Sequence, residues 1–256
     1  MQVCVRPTDV TPRPGDPAVT SHLQNEFLIA VKSKDAICSG SRRINVFRQI
    51  YGPGGSHSPH QHRTTEHAYY VLSGTARVRI GDATFDARPD TVFYVPPQTE
   101  HEVHNPGGAP YVTLVISVDL DEQDIEPARV RRTSVGGPLC IYPENTKPRQ
   151  AVTRRIFNLQ DEPLLSPRST DVSFSGTARL AVLRHTYAVG GKHLPNAHEA
   201  SEQVYYIAKG HGRVGVAGEM FDAGANTAFY IAPQTMHEIT NLGDGPLVNL
   251  LINVDL

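Results

Sequence analysis

Between Gly54 and Gly74 the chain reads G-G-S-H-S-P-H-Q-H-R-T-T-E-H-A-Y-Y-V-L-S-G. His57, His60, His62 and His67 and one carboxylate, Glu66, fall within eleven residues. Neutral imidazole is the commonest protein ligand for a metal ion. His60 and His62 are two residues apart, so on an extended segment both rings project to one face. A further histidine, His101, follows the turn Pro96-Pro97-Gln98-Thr99. Imidazoles gathered this closely repel one another when protonated. A bound divalent cation accounts for them better than a metal-free, hydrogen-bonded cluster does.

Such residues need strands to hold them. The run Tyr69 to Leu72, closed by Ser73-Gly74, reads as a strand entering a hairpin. Strand parity puts His67, Tyr69 and Val71 on one face and Glu66, Ala68, Tyr70 and Leu72 on the other. Tyr69 can therefore hydrogen-bond a substrate from the ligand face, or serve as a core aromatic. His57 lies in a Gly-Gly turn at an odd spacing from the ligands and reads as a cavity-mouth group, an acid–base group or a surface histidine. His104, three residues after His101, falls on the opposite face. Further strands are expected at 27–31, 35–38, 43–48, 76–80, 91–95, 101–104 and 111–118. Gly (21) and Pro (20) are frequent, as many short strands joined by tight turns require.

These residues carry a family resemblance. Gly54, His60, His62 and Gly74 match the first cupin motif, G-x5-H-x-H-x3/4-E-x6-G. Pro96, His101 and Asn105 match the second, G-x5-P-x-G-x2-H-x3-N. Asp90 and Gln98 stand where the second motif has glycines. His67 stands at the usual glutamate position, six residues before Gly74 on the motif's count, and Glu66 is one place earlier. The resemblance implies a metal held by His60, His62, His67 and His101. Glu66 would then be an acid–base group or a salt-bridge partner, and a bulge at the strand start would exchange the two roles.

Shifted by 136 residues, the chain realigns on itself without a gap from Asp35 to Leu120. Gly54-Gly55 maps to Gly190-Gly191, Tyr69-Tyr70 to Tyr205-Tyr206, and Pro97-Gln98-Thr99 to Pro233-Gln234-Thr235. Both halves must share one fold. The chain resembles a bicupin: all-β, two tandem cupin jelly-roll β-barrels related by an internal repeat. The expected division is an N-terminal arm, 1–26; a first domain, 27–120; an acidic, proline-bearing linker, 121–150; and a second domain, 151–256. The second half places Asn196, His198, Gln203 and His237 at the ligand positions, with Glu202 beside Gln203 and His193 at the place of His57. Neutral amides are weaker ligands, so this second site is expected to bind less tightly or to be vestigial.

The formal net charge of −2 gives no bulk attraction to nucleic acid or a membrane surface. No apolar run approaches the ~20 residues that span a bilayer. Cys4, Cys38 and Cys140 lie far apart, which argues for reduced thiols rather than disulfides or zinc-thiolate ligation. With no secretory signal pattern at the N-terminus, a cytoplasmic location is expected. Jelly rolls expose sheet edges, so a homodimer is expected, with residues 1–26 as an alternative cover. Arg48 and Arg184 could bind a substrate carboxylate if they point inward.

The resemblance implies a metal-dependent enzyme for a small-molecule substrate. Foremost is an Fe2+ dioxygenase, an oxidoreductase using O2 on a small metal-chelating compound. The alternative is a redox-neutral isomerase, lyase, cyclase or hydrolase using Zn2+, Mn2+, Ni2+, Co2+ or Cu2+, with Glu66 or His57 moving the proton. A non-catalytic ligand-binding cupin is the third reading.

Overall fold

The computed structural model describes residues 2–31, 36–126, 139–167 and 175–256. Part of the expected strand over 35–38 and part of the expected linker lie outside these residues; the strand found there is Cys38–Ser39. Each half builds one eleven-stranded sheet that curls into a barrel. In the first half the order is 140–141, 92–95, 65–73, 111–119, 44–60, 101–104, 76–80, 83–87, with 20–30 pairing along 44–60. The second half repeats this order with 4–5, 228–231, 201–209, 247–255, 180–196, 237–241, 211–216 and 219–224.

Two observations correct the expected boundaries. Residues 20–26 are not an arm, because they begin the strand Thr20–Ala30, whose register runs from Thr20↔His57 to Ile29↔Val46. Cys4–Val5 and Cys140–Ile141 are exchanged between the halves. Cys4 pairs with Phe229 at an edge of the second barrel, and Cys140 pairs with Phe93 at an edge of the first. The chain thus covers two of its own exposed edges, the role that residues 1–26 were offered for.

The long strand Ile44–His60 carries His57 and His60 and, besides Thr20–Ala30, has two partners. Its first part pairs with Tyr111–Asp119 and its last part with His101–His104. The change of partner falls at Gly52–Gly55, where Gly54 has φ +69° and an added Cβ on Gly55 would lie 2.8 Å from the Gly52 carbonyl. Asn105 locks this corner: its Nδ2 donates to the carbonyls of Tyr51, Gly52 and Ala109. Where the resemblance leads one to expect glycine, Asp90 and Gln98 adopt φ of 67° and 60°. Their repeats Asn226 and Gln234 do the same at 67° and 61°. The left-handed turns survive without the residue that adopts them most easily.

Gly74 is a stricter case. Its φ is +77°, and a Cβ there would meet the Pro110 carbonyl oxygen at 2.3 Å. Gly74→Ala is expected to lower stability by roughly 2–3 kcal/mol, from left-handed strain plus forced backbone displacement. Gly54→Ala, with open space at its Cβ, should show only the strain, about 1 kcal/mol. Urea midpoints of the two variants test the difference.

Alternation sorts the strands into three cores. Tyr69, Val71, Phe93 and Tyr111 pack inside the first barrel. Tyr205, Ile207, Phe229 and Leu247 pack inside the second. The outward residues Ala68, Tyr70, Leu114 and Ile116 join Val204, Tyr206, Leu250 and Ile252 in one shared core between the halves. Strand Thr65–Ser73 is therefore buried on both faces for most of its length. All three cysteines are free and buried. No helix among the described residues is long and apolar enough to cross a membrane.

Candidate metal centre

Cross-strand register brings the first-half histidines together. His60 is the direct partner of His101, and a bulge between His101 and Val103 shifts the register next to it. His62 follows at the strand's end, where its carbonyl accepts from the Gln98 amide at 2.7 Å. One nitrogen from each of His60, His62 and His101 can be chosen so that all three lie within 4.8 Å of one another. His67 stands beside this trio on the strand Thr65–Ser73, its ring centroid 4.4 Å from that of His62 and 5.8 Å from that of His101.

Backbone carbonyls fix which nitrogen faces inward. His60 Nδ1 hydrogen-bonds the Ser58 carbonyl at 2.8 Å, and His101 Nδ1 the Thr99 carbonyl at 3.0 Å. That leaves the Nε2 atoms for a ligand. His101 Nε2 and both nitrogens of His67 are buried without a hydrogen-bond partner. Buried imidazole nitrogens are costly to leave unpaired. A divalent cation fits this donor set, and borderline ions take imidazole readily. Burial, reinforced by the neighbouring imidazoles, disfavours the protonated form of His57, His62, His67 and His101. It lowers His67 far below the ordinary histidine value, His101 to about 3 and His57 to about 4.

A cavity of about 250 Å3 opens onto the cluster. Phe27, Ile29, Phe47 and Val115 give it apolar walls, and Asn45 and Gln49 are its amides. Tyr69 lines it on the ligand face, and His57 lines it with its ring stacked on His60 at 3.9 Å. No carboxylate, lysine or arginine is among the described residues lining it. His104 is exposed, as its parity predicts.

The acid–base role for Glu66 is corrected. Its side chain leaves the barrel and enters the other half. Oε1 accepts from the amides of Arg179 and Leu180 at 2.9 Å each, and Oε2 accepts from the Ala178 amide at 2.7 Å and the Tyr94 hydroxyl at 2.9 Å. Burial pushes its carboxyl upward, while the four hydrogen bonds pull the other way. The assignment of Glu202 to the second metal site is corrected for the same reason. It accepts from the amides of Arg42, Arg43 and Ile44 and from the Tyr230 hydroxyl. Parity gives the cause: both glutamates lie on the face opposite His67 and Gln203, and that face is the interface between the halves. Arg48 and Arg184 lie on that face too, paired with Glu26 and Glu162, and are not substrate-carboxylate binders in either barrel.

In the second barrel the equivalent residues are differently occupied. Asn196 Nδ2 contacts His198 Nε2 at 2.9 Å, and Gln203 Nε2 donates to Asn253 Oδ1 at 2.9 Å. The rings of His198 and His237 are 5.4 Å apart, and His237 Nε2 is buried without a partner. His198 itself is exposed. Sequence reasoning missed a buried group behind this site, His185 with Asp161, whose ring nitrogen and carboxylate oxygen lie 3.4 Å apart. The repeat carried the signal: His185 stands where the first half has Gln49, and Asp161 where it has Asn25.

Residues 47–117 and 183–253, more than half of the chain, each match a family model described as the cupin domain. An uncharacterised protein of Methanocaldococcus jannaschii is 41% identical over 59 residues, 23% of this chain and 47% of that protein. A mannose-1-phosphate guanylyltransferase of Klebsiella pneumoniae is 32% identical over 85 residues, 32% of this chain and 18% of the enzyme. The aligned stretches span less than half of these curated relatives. Among solved structures, oxalate decarboxylase from Lactobacillus farciminis, as a formate complex, superposes with a TM-score of 0.72 at 15% identity, covering 100% of this chain and 89% of that one. The Bacillus subtilis oxalate decarboxylase, with Mn(II) centres, gives 0.69 at 18% identity, covering 100% and 79%.

Proposed function

The chain belongs to the cupin family, with two cupin domains in tandem, and from that premise we propose that it is a metal-dependent enzyme acting in its N-terminal barrel. There it would oxidise a small, metal-chelating organic compound with O2. The observation that carries this reading is an all-histidine cluster facing a mostly apolar cavity without a carboxylate. His60, His62 and His101 would hold the ion, with His67 as the fourth ligand. A divalent ion in this place, Fe2+ foremost, supplies a Lewis-acidic and redox-active centre where an enol-type group and O2 can meet.

The remaining groups bind and shield. Phe27, Phe47, Ile29 and Val115 accept an apolar body and keep water from the reacting carbon. Asn45 and Gln49 offer neutral hydrogen bonds that orient polar substituents. Tyr69 closes the wall beside His101, ring centroids 6.1 Å apart. No cationic side chain is among the described residues lining this cavity, so an anionic substrate would meet its positive charge at the ion alone. One observation favours a redox-neutral alternative: His57 lines the cavity with its ring stacked on His60, where a proton-transfer group would have to stand.

The test is metal analysis of anaerobically purified protein, followed by O2 uptake with small β-diketones and enolisable acids. Iron near one per chain and O2 consumed in step with substrate are expected. Full turnover under strict anaerobiosis, with Zn2+ or Mn2+ restoring stripped enzyme, would sink the dioxygenase reading in favour of the His57 one.

A further inference from the structure

A line of neutral groups crosses the N-terminal barrel. Gln49 Nε2 donates to Asn25 Oδ1 at 3.1 Å, and the Tyr51 hydroxyl donates to Gln49 Oε1 at 2.8 Å. The repeat puts Asp161, His185 and Tyr187 at these three positions. His185 Nε2 lies 3.4 Å from Asp161 Oδ1, and His185 Nδ1 lies 3.5 Å from the Tyr187 hydroxyl. Arg149 Nε donates to Asp161 Oδ2 at 2.9 Å. Shape is kept while two amides become a carboxylate and an imidazole. Folding does not demand the change, because the first half holds the same strands with amides.

The second barrel is also rich in buried polar atoms that lack partners: His193 Nδ1, Gln203 Oε1, His237 Nε2 and both side-chain polar atoms of Asn249. Gln203, His237 and Asn249 are 3%, 2% and 0% exposed. Atoms like these cost stability unless something polar meets them. His193 and His237 lie on paired strands, His193 opposite Ile239 and His237 opposite Asn196. Gln49 lines the first cavity, and His185 holds the same place in the second barrel. The contact from His185 Nδ1 to Tyr187 is long for a hydrogen bond, which leaves that nitrogen open to an incoming donor. Asp161 is neutralised by Arg149, so the local balance favours an uncharged ligand.

We propose that the C-terminal barrel is a separate active site in which His185, with the Asp161 carboxylate 3.4 Å from its Nε2, moves a proton on a small uncharged hydroxycarbonyl compound. Amide and imidazole groups suit a ligand that both donates and accepts, and a carbonyl acidifies the neighbouring C–H. His185 Nδ1 takes that proton while the C–H electron pair moves into the enolate. The charge of Asp161 stabilises the resulting imidazolium, and the proton then returns to the same carbon, so the α-hydrogens exchange with no net change in the compound. No oxidant is needed. The assignment goes beyond the reading for the first barrel and does not depend on it.

Hydroxyacetone in D2O, followed by proton NMR, is the probe. The full chain should accelerate loss of the α-hydrogens above buffer. His185→Gln, which rebuilds the first half's own residue and so should melt with the wild type, should lose about a hundredfold of that rate. Free imidazole should restore exchange to His185→Ala, which a merely structural histidine would not allow. The assignment is overturned if the wild type exchanges no faster than buffer, if His185→Gln matches it, or if imidazole fails to rescue.

Discussion

Replacing His62 or His101 with alanine is expected to remove the tight metal site, weakening binding by more than about a hundredfold. Loss of an outer partner of a ligand alone costs about 10- to 100-fold, and a lost ligand costs more. The two residues reach the cluster from different elements: His101 from the strand His101–His104, where it pairs directly with His60, and His62 from the loop after the strand Ile44–His60. Neither can be replaced by sliding a neighbour. His67→Ala should weaken the site by about tenfold or more, whereas Glu66→Gln should leave affinity unchanged, because Glu66 faces the other half. Titration with Zn2+ or Mn2+ should show one tight site per chain. If His198→Ala removes that site and His62→Ala spares it, the assignment to the first barrel is wrong.

Glu66→Ala is expected to be among the most destabilising single changes in the chain, at roughly 3 kcal/mol or more. It strands three backbone amides and the Tyr94 hydroxyl, all held by one carboxylate that is 0% exposed. Each buried donor left unpaired costs about 1–3 kcal/mol. For a chain of this size that corresponds to a melting point lower by about 6–12 °C. Glu202→Ala should behave alike, since it grips 42–44 as Glu66 grips 178–180. Calorimetry with metal analysis separates the readings. An unchanged melting point together with lost turnover would return Glu66 to acid–base chemistry.

The barrels and the histidines were legible because they rest on local rules. Parity placed His67, Tyr69 and Val71 on the inward face, and the gap-free repeat fixed the hairpins. Parity also put Glu66 outward. Its mechanistic role was misjudged because the outer face of one barrel is the inner face of the whole molecule, a fact of how the halves dock that no single strand encodes. The strand at 20–30 was anticipated only from Phe27 onward, and its first part, 20–26, was missed for a different reason. Its sequence, T-S-H-L-Q-N-E-F-L-I-A, alternates weakly and is polar at its start. Only comparison with 156–166, which shares Leu, Gln, Glu and Leu at matching places, marks it as part of the repeat. The same comparison would have exposed Asp161 and His185.

The exchange of Cys4–Val5 and Cys140–Ile141 has a temporal side. A chain is synthesised from its N-terminus, and Cys4 leaves the ribosome long before its partner Phe229 exists. The first barrel likewise waits for Cys140 before its strand at Phe93 is capped. Pairings so distant along the chain raise contact order and slow folding. Until the last strands arrive, the nascent protein presents open edges and the apolar outer face that its second half will cover. Such a species is the kind that chaperones hold and that swaps strands with a second copy. A gene split between the two barrels should therefore give two insoluble fragments that recover only when folded together.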